Sequence, residues 1–305
     1  MNNSSFSIAM VERDTGLSKD VLRVWERRYG FPCPMRDAHG ERQYPADQVE
    51  RLRTIKRLMD QGHRPGKLLV ASPDELAALT PKRSPKRPQT MKAAVDETIE
   101  ALIEPIRQHD AGAYLQQMQQ RLARQGLQAF VQDTVAPLTW RIGLAWEEGR
   151  IEVFEEHLYT ELTKRLLRQA IAGLPPGGGT PRVILTSVSE EAHVLGLLMV
   201  ETLLALEGAE CIPLGTQMPL LEIARAADAH AADIVALSFS VAFPARRIPG
   251  LLEQLRRLLP DGVALWAGGS GVRKLSSTPG IEIIHDLPQT LAALADFRGG
   301  RHNRG

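Results

Sequence analysis

The sequence predicts a multidomain chain of α and α/β class: a winged helix-turn-helix head, a helical bundle, and a Rossmann-like parallel-sheet domain. Three observations carry that prediction. Two short helix patterns meet at a glycine-bearing turn near the N-terminus. Residues 92–173 hold little but helical periodicity. Beyond residue 178, short β-branched runs alternate with helical ones, the pattern of strands buried in a parallel sheet with helices on both faces. At 305 residues the chain is also too long for one compact core.

Composition narrows the class. A hydrophobic fraction of 43% and a charged fraction of 24% are those of an ordinary globular protein. The first residues, MNNSSFSIAMVERD, have neither a basic leader nor an apolar core, so no signal peptide is expected. The two cysteines, Cys33 and Cys211, lie far apart, which argues against a disulfide framework or a cysteine zinc site and suits a reducing cytoplasm. The net charge of +1 conceals an asymmetry: residues 1–90 carry 17 Lys and Arg against 11 Asp and Glu (+6), and the remaining 20 and 25 give −5. A basic head on an acidic body points to a polyanion met by the head alone.

In the head, residues 1–78, SIAMVERD reads as a first helix and Asp14-Thr15-Gly16 as a turn. Ser18 caps a second helix, KDVLRVWERRYG, that stops at Gly30. FPCPMRDAHGERQYP is too rich in Pro and Gly for a helix and forms the wing. A third helix covers roughly 46–61, with Val49, Leu52, Ile55, Leu58 and Met59 at helical spacing. Lys19, Arg23, Arg27 and Arg28 fall on or near one face of the second helix, and Arg36, Arg42 and Tyr44 fall on the wing. A major-groove helix with flanking phosphates needs cations there. LTPKRSPKRPQTM, residues 79–91, is a solvated linker.

R-x-W-E-R-R-Y-G from Arg23 and R-x-Y-P from Arg42 make the first 70 residues or so resemble the MerR-family head. The resemblance implies a dimer on a palindromic double-stranded operator, with Lys19 and Arg23 near bases, Arg42 and Tyr44 on phosphates, and Trp25 holding the wing to the helix.

Residues 92–178 are expected to form a four-helix bundle from Ala94, Ile99, Leu102 and Ile103, then Leu122, Leu127, Phe130 and Val131, then Leu158, Leu162 and Leu166. Residues 179–298 give strands RVILTSV, AECIPL, ADIVALSFS, VALWAGG and IEIIH with helices between them, and 299–305 a flexible tail. Between the first strand and its helix stands Glu191-Ala192-His193-Val194-Leu195-Gly196, an E-x-H-x-x-G. Doubly wound folds place ligands at such loops. Imidazole is a good transition-metal ligand, and a nearby carboxylate can orient it.

The order E-x-H-x-x-G, Ser238-Phe239-Ser240, Gly268-Gly269 resembles the cobalamin-binding domain of methionine synthase and corrinoid proteins. That resemblance implies cobalt over His193, Glu191 behind it, and Ser238, Gly268 and Gly269 along a slot for the displaced nucleotide tail. Ser240 departs from the usual leucine or threonine. In the bundle, Trp146 is followed after nine residues by Glu156-His157. With the other two modules, this spacing resembles the CarH/LitR type of MerR photoreceptor, which implies an adenosylcobalamin whose adenosyl group lies under Trp146 and against Glu156 and His157.

The resemblance further implies a repressor assembled as a dimer or tetramer in the dark and released from DNA when light cleaves the cobalt–carbon bond. One departure bears on this. The position that carries an adduct-forming histidine in that type is Glu147 here. Two other readings stay open: a regulator whose cobalamin-like domain senses another ligand or only oligomerises, and a corrinoid carrier, which has no need of a basic helix-turn-helix. Nothing suggests an enzyme. There is no Ser/His/Asp set, and GLPPGGGT lacks the Lys-Ser/Thr ending of a phosphate loop.

Overall fold

A computed structural model describes residues 5–37, 40–60, 63–79, 98–175, 179–275 and 278–302. The chain divides into two compact units, Met1–Arg87 and Pro88–Gly305. The division falls inside the expected linker, of which residues 80–91 lie outside the described residues.

In the first unit, α1 (Ile8–Thr15) follows a three-residue strand, β1 (Ser5–Ser7), that the sequence did not announce. Ser7 caps α1 through its hydroxyl, and Gly16 ends it at φ 69°, a left-handed conformation that glycine adopts without strain. Ser18 then caps α2 (Lys19–Tyr29), accepting from Val21 N at 3.3 Å. The wing is β2 (Met35–Arg36) and β3 (Arg42–Pro45), and β3 is the middle strand of an antiparallel sheet in the order β1-β3-β2. α3 (Ala46–Asp60) buries Val49, Leu52, Ile55 and Leu58 on the face its periodicity marks. Two short helices not anticipated from sequence, Pro65–Leu68 and Pro73–Leu79, add Leu68 and Leu76 to the same core, which also holds Leu22, Trp25 and Tyr44.

The second unit begins with less helix than expected. Residues 98–100 are helical, a turn follows, and a four-residue helix spans Glu104–Arg107, although Ile99, Leu102 and Ile103 are buried as predicted. Ala94 lies outside the described residues. The helix Ala111–Gln125 starts at Asp110, whose carboxylate accepts from Ala113 N. A second helix runs from Leu127 to Glu147 with a π-helical turn, Phe130–Val135, in its middle. There Ala136 N reaches back to Val131 O. The third helix, Val153–Ala172, opens on a capping box between Glu152 and Glu155.

Five parallel strands complete the unit: β4 (Gly179–Val188), β5 (Ala209–Met218), β6 (Ile234–Ser238), β7 (Ala264–Gly268) and β8 (Ile281–Ile284), in the order β5-β4-β6-β7-β8. β4 alternates between two cores. Val183 and Leu185 face one with Leu204, Trp266 and Leu294, whereas Ile184 and Val188 face the other with Ile223 and Leu252. The helix after β4, Leu195–Leu206, is buried on nearly every side, because its other face enters the bundle core through Leu195, Leu198, Met199 and Leu203. That helix thus contributes to the bundle core on one face and, through Leu197 and Leu204, to a sheet core on the other.

The last helix, Leu287–His302, takes in residues 299–302 of the expected tail, and residues 303–305 lie outside the described residues. It carries through Gly299 and Gly300, and the Arg298 guanidinium donates to the Thr180 and Glu207 carbonyls at 3.2 and 3.0 Å. Those bonds are long-range, and nothing local in RGGRHNRG signals them.

Candidate nucleic-acid interface and cofactor site

On the head, α2 presents Arg23, Glu26 and Arg27 at i, i+3 and i+4, hence along one face. With Arg42 of β3 they line a shallow cleft. Arg42 Nε donates to Glu26 Oε2 at 2.7 Å, and Nη2 approaches Oε1 at 3.5 Å. Arg23 leans on Asp20 at 3.3 Å, and Lys19 Nζ lies 3.6 Å from Glu12. Arg28 stacks on Tyr29, and Arg36 donates to the Gly40 carbonyl at 2.7 Å. The expected phosphate contact from Tyr44 is corrected. Tyr44 is fully buried in the head core, and burial pushes its phenol above the usual range. On β3 its side chain faces inward between the outward Gln43 and Pro45.

The second site lies at the carboxyl ends of β4 and β6. The chain leaves β4 for β5 on one side, then crosses to β6 on the other, so the strand order reverses between β4 and β6. Open α/β sheets hold their ligands in the crevice at this point. Glu191, its side chain 1% exposed, spans the crevice. Its Oε1 accepts from His193 N at 3.0 Å and lies 2.7 Å from His193 Nδ1. Its Oε2 accepts from Ser240 N and Ser240 Oγ at 2.8 and 2.9 Å. Burial pushes the Glu191 carboxyl up, but the bonds from His193 and Ser240 together outweigh it and hold the group below the usual carboxylate range. The charged carboxylate therefore fixes Nδ1 as the bonded edge of an imidazole that is 63% exposed, and its Nε2 edge is the one a metal would meet.

Ser187, a buried polar residue at the end of β4, escaped the sequence reading. Its hydroxyl donates to the Glu191 carbonyl at 2.5 Å and accepts from Gln217 N at 3.0 Å, which fixes the loop that carries His193. The loop's far side is tied by an ion pair from Arg247 to Glu190. Gly196 presses the first turn of its helix onto Ser238, since a Cβ there would lie 2.8 Å from Ser238 Oγ. Gly269 has φ 95°, and a Cβ on it would lie 2.4 Å from the Phe239 carbonyl oxygen. Chain packing alone thus requires a glycine at 269.

In the bundle, Trp146 is partly buried against the same hydrophobic core as Val194, the neighbour of His193. Glu156 and His157 lie near the start of the long helix. Glu156 accepts from the Thr160 hydroxyl at 2.8 Å, and His157 is 72% exposed. Beneath them Tyr159 donates to or accepts from Thr139 at 2.6 Å, and Tyr114 does the same with Thr163 at 2.8 Å, linking all three long helices.

Comparison with known proteins bears on the domains that carry these two sites. Residues 6–68 match the MerR HTH family of regulatory proteins, and residues 98–171 and 181–291 match two B12-binding domain families. The chain thus carries a segment similar to the MerR helix-turn-helix head, followed by two segments similar to B12-binding domains. Among named relatives it is similar to the HTH-type transcriptional repressor CarH of Myxococcus xanthus, at 29% identity over 90% of this chain and 91% of that one. The repressor CarA of the same organism is also 29% identical, over 88% and 87%. The body shares its fold with the monomethylamine corrinoid protein of Methanosarcina barkeri, at a TM-score of 0.51 and 15% identity over 66% of this chain and 99% of that one. Among the described residues no helix is long and apolar enough to cross a membrane.

Proposed function

We propose that the protein is a cytoplasmic transcriptional repressor whose grip on its operator is set by adenosylcobalamin and relieved by light. The observation that carries the reading is the buried carboxylate of Glu191, which orients His193 at the switch point of the sheet. The donor set fits the group: one imidazole oriented by a carboxylate is a good ligand for cobalt. When bound, adenosylcobalamin would supply a light-cleavable cobalt–carbon bond. His193 would hold the metal, with Glu191 and Ser240 fixing its ring. Trp146, Glu156 and His157 are assigned to the adenosyl group, and Gly196, Ser238, Ser240, Gly268 and Gly269 to the surroundings of the nucleotide tail. Lys19, Arg23, Arg27, Arg28, Arg36 and Arg42 meet the operator.

An adenosyl group under Trp146 is a contact present in only one of two states, which is what a ligand needs to shift an equilibrium. In the dark state several heads share one operator, so affinity rises by avidity without a new base contact. Glu147 qualifies the light state: a carboxylate, not an imidazole, stands beside Trp146. The test loads the protein with adenosylcobalamin in the dark and follows its spectrum, gel-filtration volume and operator gel shift before and after illumination. His193→Ala should lose the cofactor, and Glu147→His should retain cobalamin longer after light than the natural chain. Protein that emerges colourless would refute the cofactor reading. A coloured oligomer unchanged by light would refute only photoreception, leaving a sensor of cobalamin level.

A further inference from the structure

Glu26 is the one acid in the cleft lined by Arg23, Arg27 and Arg42. A carboxylate on a surface that meets a polyanion opposes binding, because it repels the phosphates its neighbours attract. Its geometry suggests a use that offsets this. Both of its oxygens face one edge of the Arg42 guanidinium, through Nε at 2.7 Å and Nη2 at 3.5 Å, while Nη1 takes no part in the pair. The two side chains are 29% and 26% exposed, so the pair is partly shielded from water. It joins the middle of α2 to the middle strand of the wing sheet.

We propose that Glu26 is a positioning residue for DNA binding: it clamps Arg42 so that the remaining guanidinium edge is already aimed when a phosphate arrives. Without the clamp Arg42 is a long side chain with several rotamers, and ordering it opposes binding. The inference rests on Arg42 as a phosphate contact, and the experiment separates the two.

Binding of the full-length protein to a mixed-sequence DNA duplex is followed by fluorescence anisotropy across a range of NaCl concentrations. The variants are Glu26→Gln, Glu26→Asp, Arg42→Ala and the double variant Glu26→Gln/Arg42→Ala, each first checked by thermal melting. Removal of Arg42 should lower the slope of log affinity against log salt by about one, the share of one phosphate contact. Glu26→Gln should do nearly the same and weaken binding about fivefold to tenfold, although it removes a negative charge. Glu26→Asp should recover part of the loss, and the double variant should be no worse than Arg42→Ala alone. If Glu26→Gln binds tighter or unchanged while Arg42→Ala lowers the slope, Glu26 is only a repulsive charge and the inference fails. If Arg42→Ala leaves the slope intact, the phosphate contact fails and the clamp with it. Should Glu26→Gln melt early, the comparison of Glu26→Asp with the natural chain decides on the same slope.

Discussion

Replacing Glu191 with alanine would remove the acceptor of four hydrogen bonds at once: His193 N at 3.0 Å, His193 Nδ1 at 2.7 Å, and Ser240 N and Oγ at 2.8 and 2.9 Å. A hydrogen bond to a charged group is worth about 1.5–3 kcal/mol when its partners cannot turn to water. His193 is 63% exposed, so water replaces its lost bonds, and the Ser240 pair carries most of the cost. The expected loss is about 3 kcal/mol. Glutamine does not rescue it, because its amide N–H group must face either the Ser240 or the His193 donors. The folded carboxyl sits below its ordinary range, so its contribution is present above the unfolded value and disappears as pH falls through the lower folded value. Urea unfolding of the cofactor-free body, natural chain against Glu191→Gln, measured from neutral to strongly acidic pH, tests this. The gap between the two should be full at neutral pH and close below the ordinary carboxylate range. A gap under about 0.5 kcal/mol at neutral pH, or one that widens with acid, would refute the reasoning.

The bundle and sheet domain meet at a half-exposed ion pair, with Arg168 Nη1 2.6 Å from a buried Glu201 carboxylate that is 5% exposed. Arg168→Ala should cost about 2 kcal/mol by stranding that charge, whereas Glu201→Gln should cost less than about 1 kcal/mol in thermal or urea melts. Burial raises the Glu201 carboxyl, so the Arg168→Ala deficit should grow as pH rises through the folded value. Gly269→Ala should destabilise by about 3 kcal/mol, since neither φ 95° nor the Phe239 backbone gives way, and far-UV melting would show it. Gly196→Ala should cost less, and Ser238→Ala should restore it, because the clash is with a single hydroxyl. Burial, with the nearby Glu201 charge, pushes the Cys211 thiol up to about 12, while Cys33 is exposed. A thiol reagent at mildly alkaline pH should therefore modify one cysteine of the native protein rapidly and two only after unfolding.

Much of this was legible in the sequence, where the cause was local. Ser18 and Gly30 bracket α2 because caps act on their own turn, and the short apolar run that starts at Val183 marks a strand because a sheet covered on both faces needs it. Glu191 and His193 were legible as a pair because a single residue separates them. Features set by distant partners were not. β1 has three residues and exists because Phe6 pairs with Tyr44. That pairing also turns Tyr44 inward, where the wing pattern alone suggested a surface phenol. Ser240 acts on Glu191 across 49 residues, and Arg298 on Thr180 across 118. Ser187 carried no signal beyond being polar at the end of an apolar run. The Glu26–Arg42 pair spans 16 residues and was hidden because each side chain seemed accounted for alone.

The π-helical turn at Phe130–Val135 sets an angle as well as a shape. One turn closed by Ala136 N onto Val131 O spends one residue more than the α-helical repeat, and each residue of an α-helix advances the side-chain direction by about 100°. Everything downstream is therefore rotated by that amount relative to Phe130 and Val131, including Ile142, Ala145 and Trp146. A heptad-like count begun at Leu127 and continued unbroken to Trp146 would turn the indole by about 100° from where it stands. The aromatic side chain assigned to the cofactor thus faces its present direction through a phase shift made more than ten residues earlier, and deleting a single residue there would regularise the helix and misdirect the tryptophan.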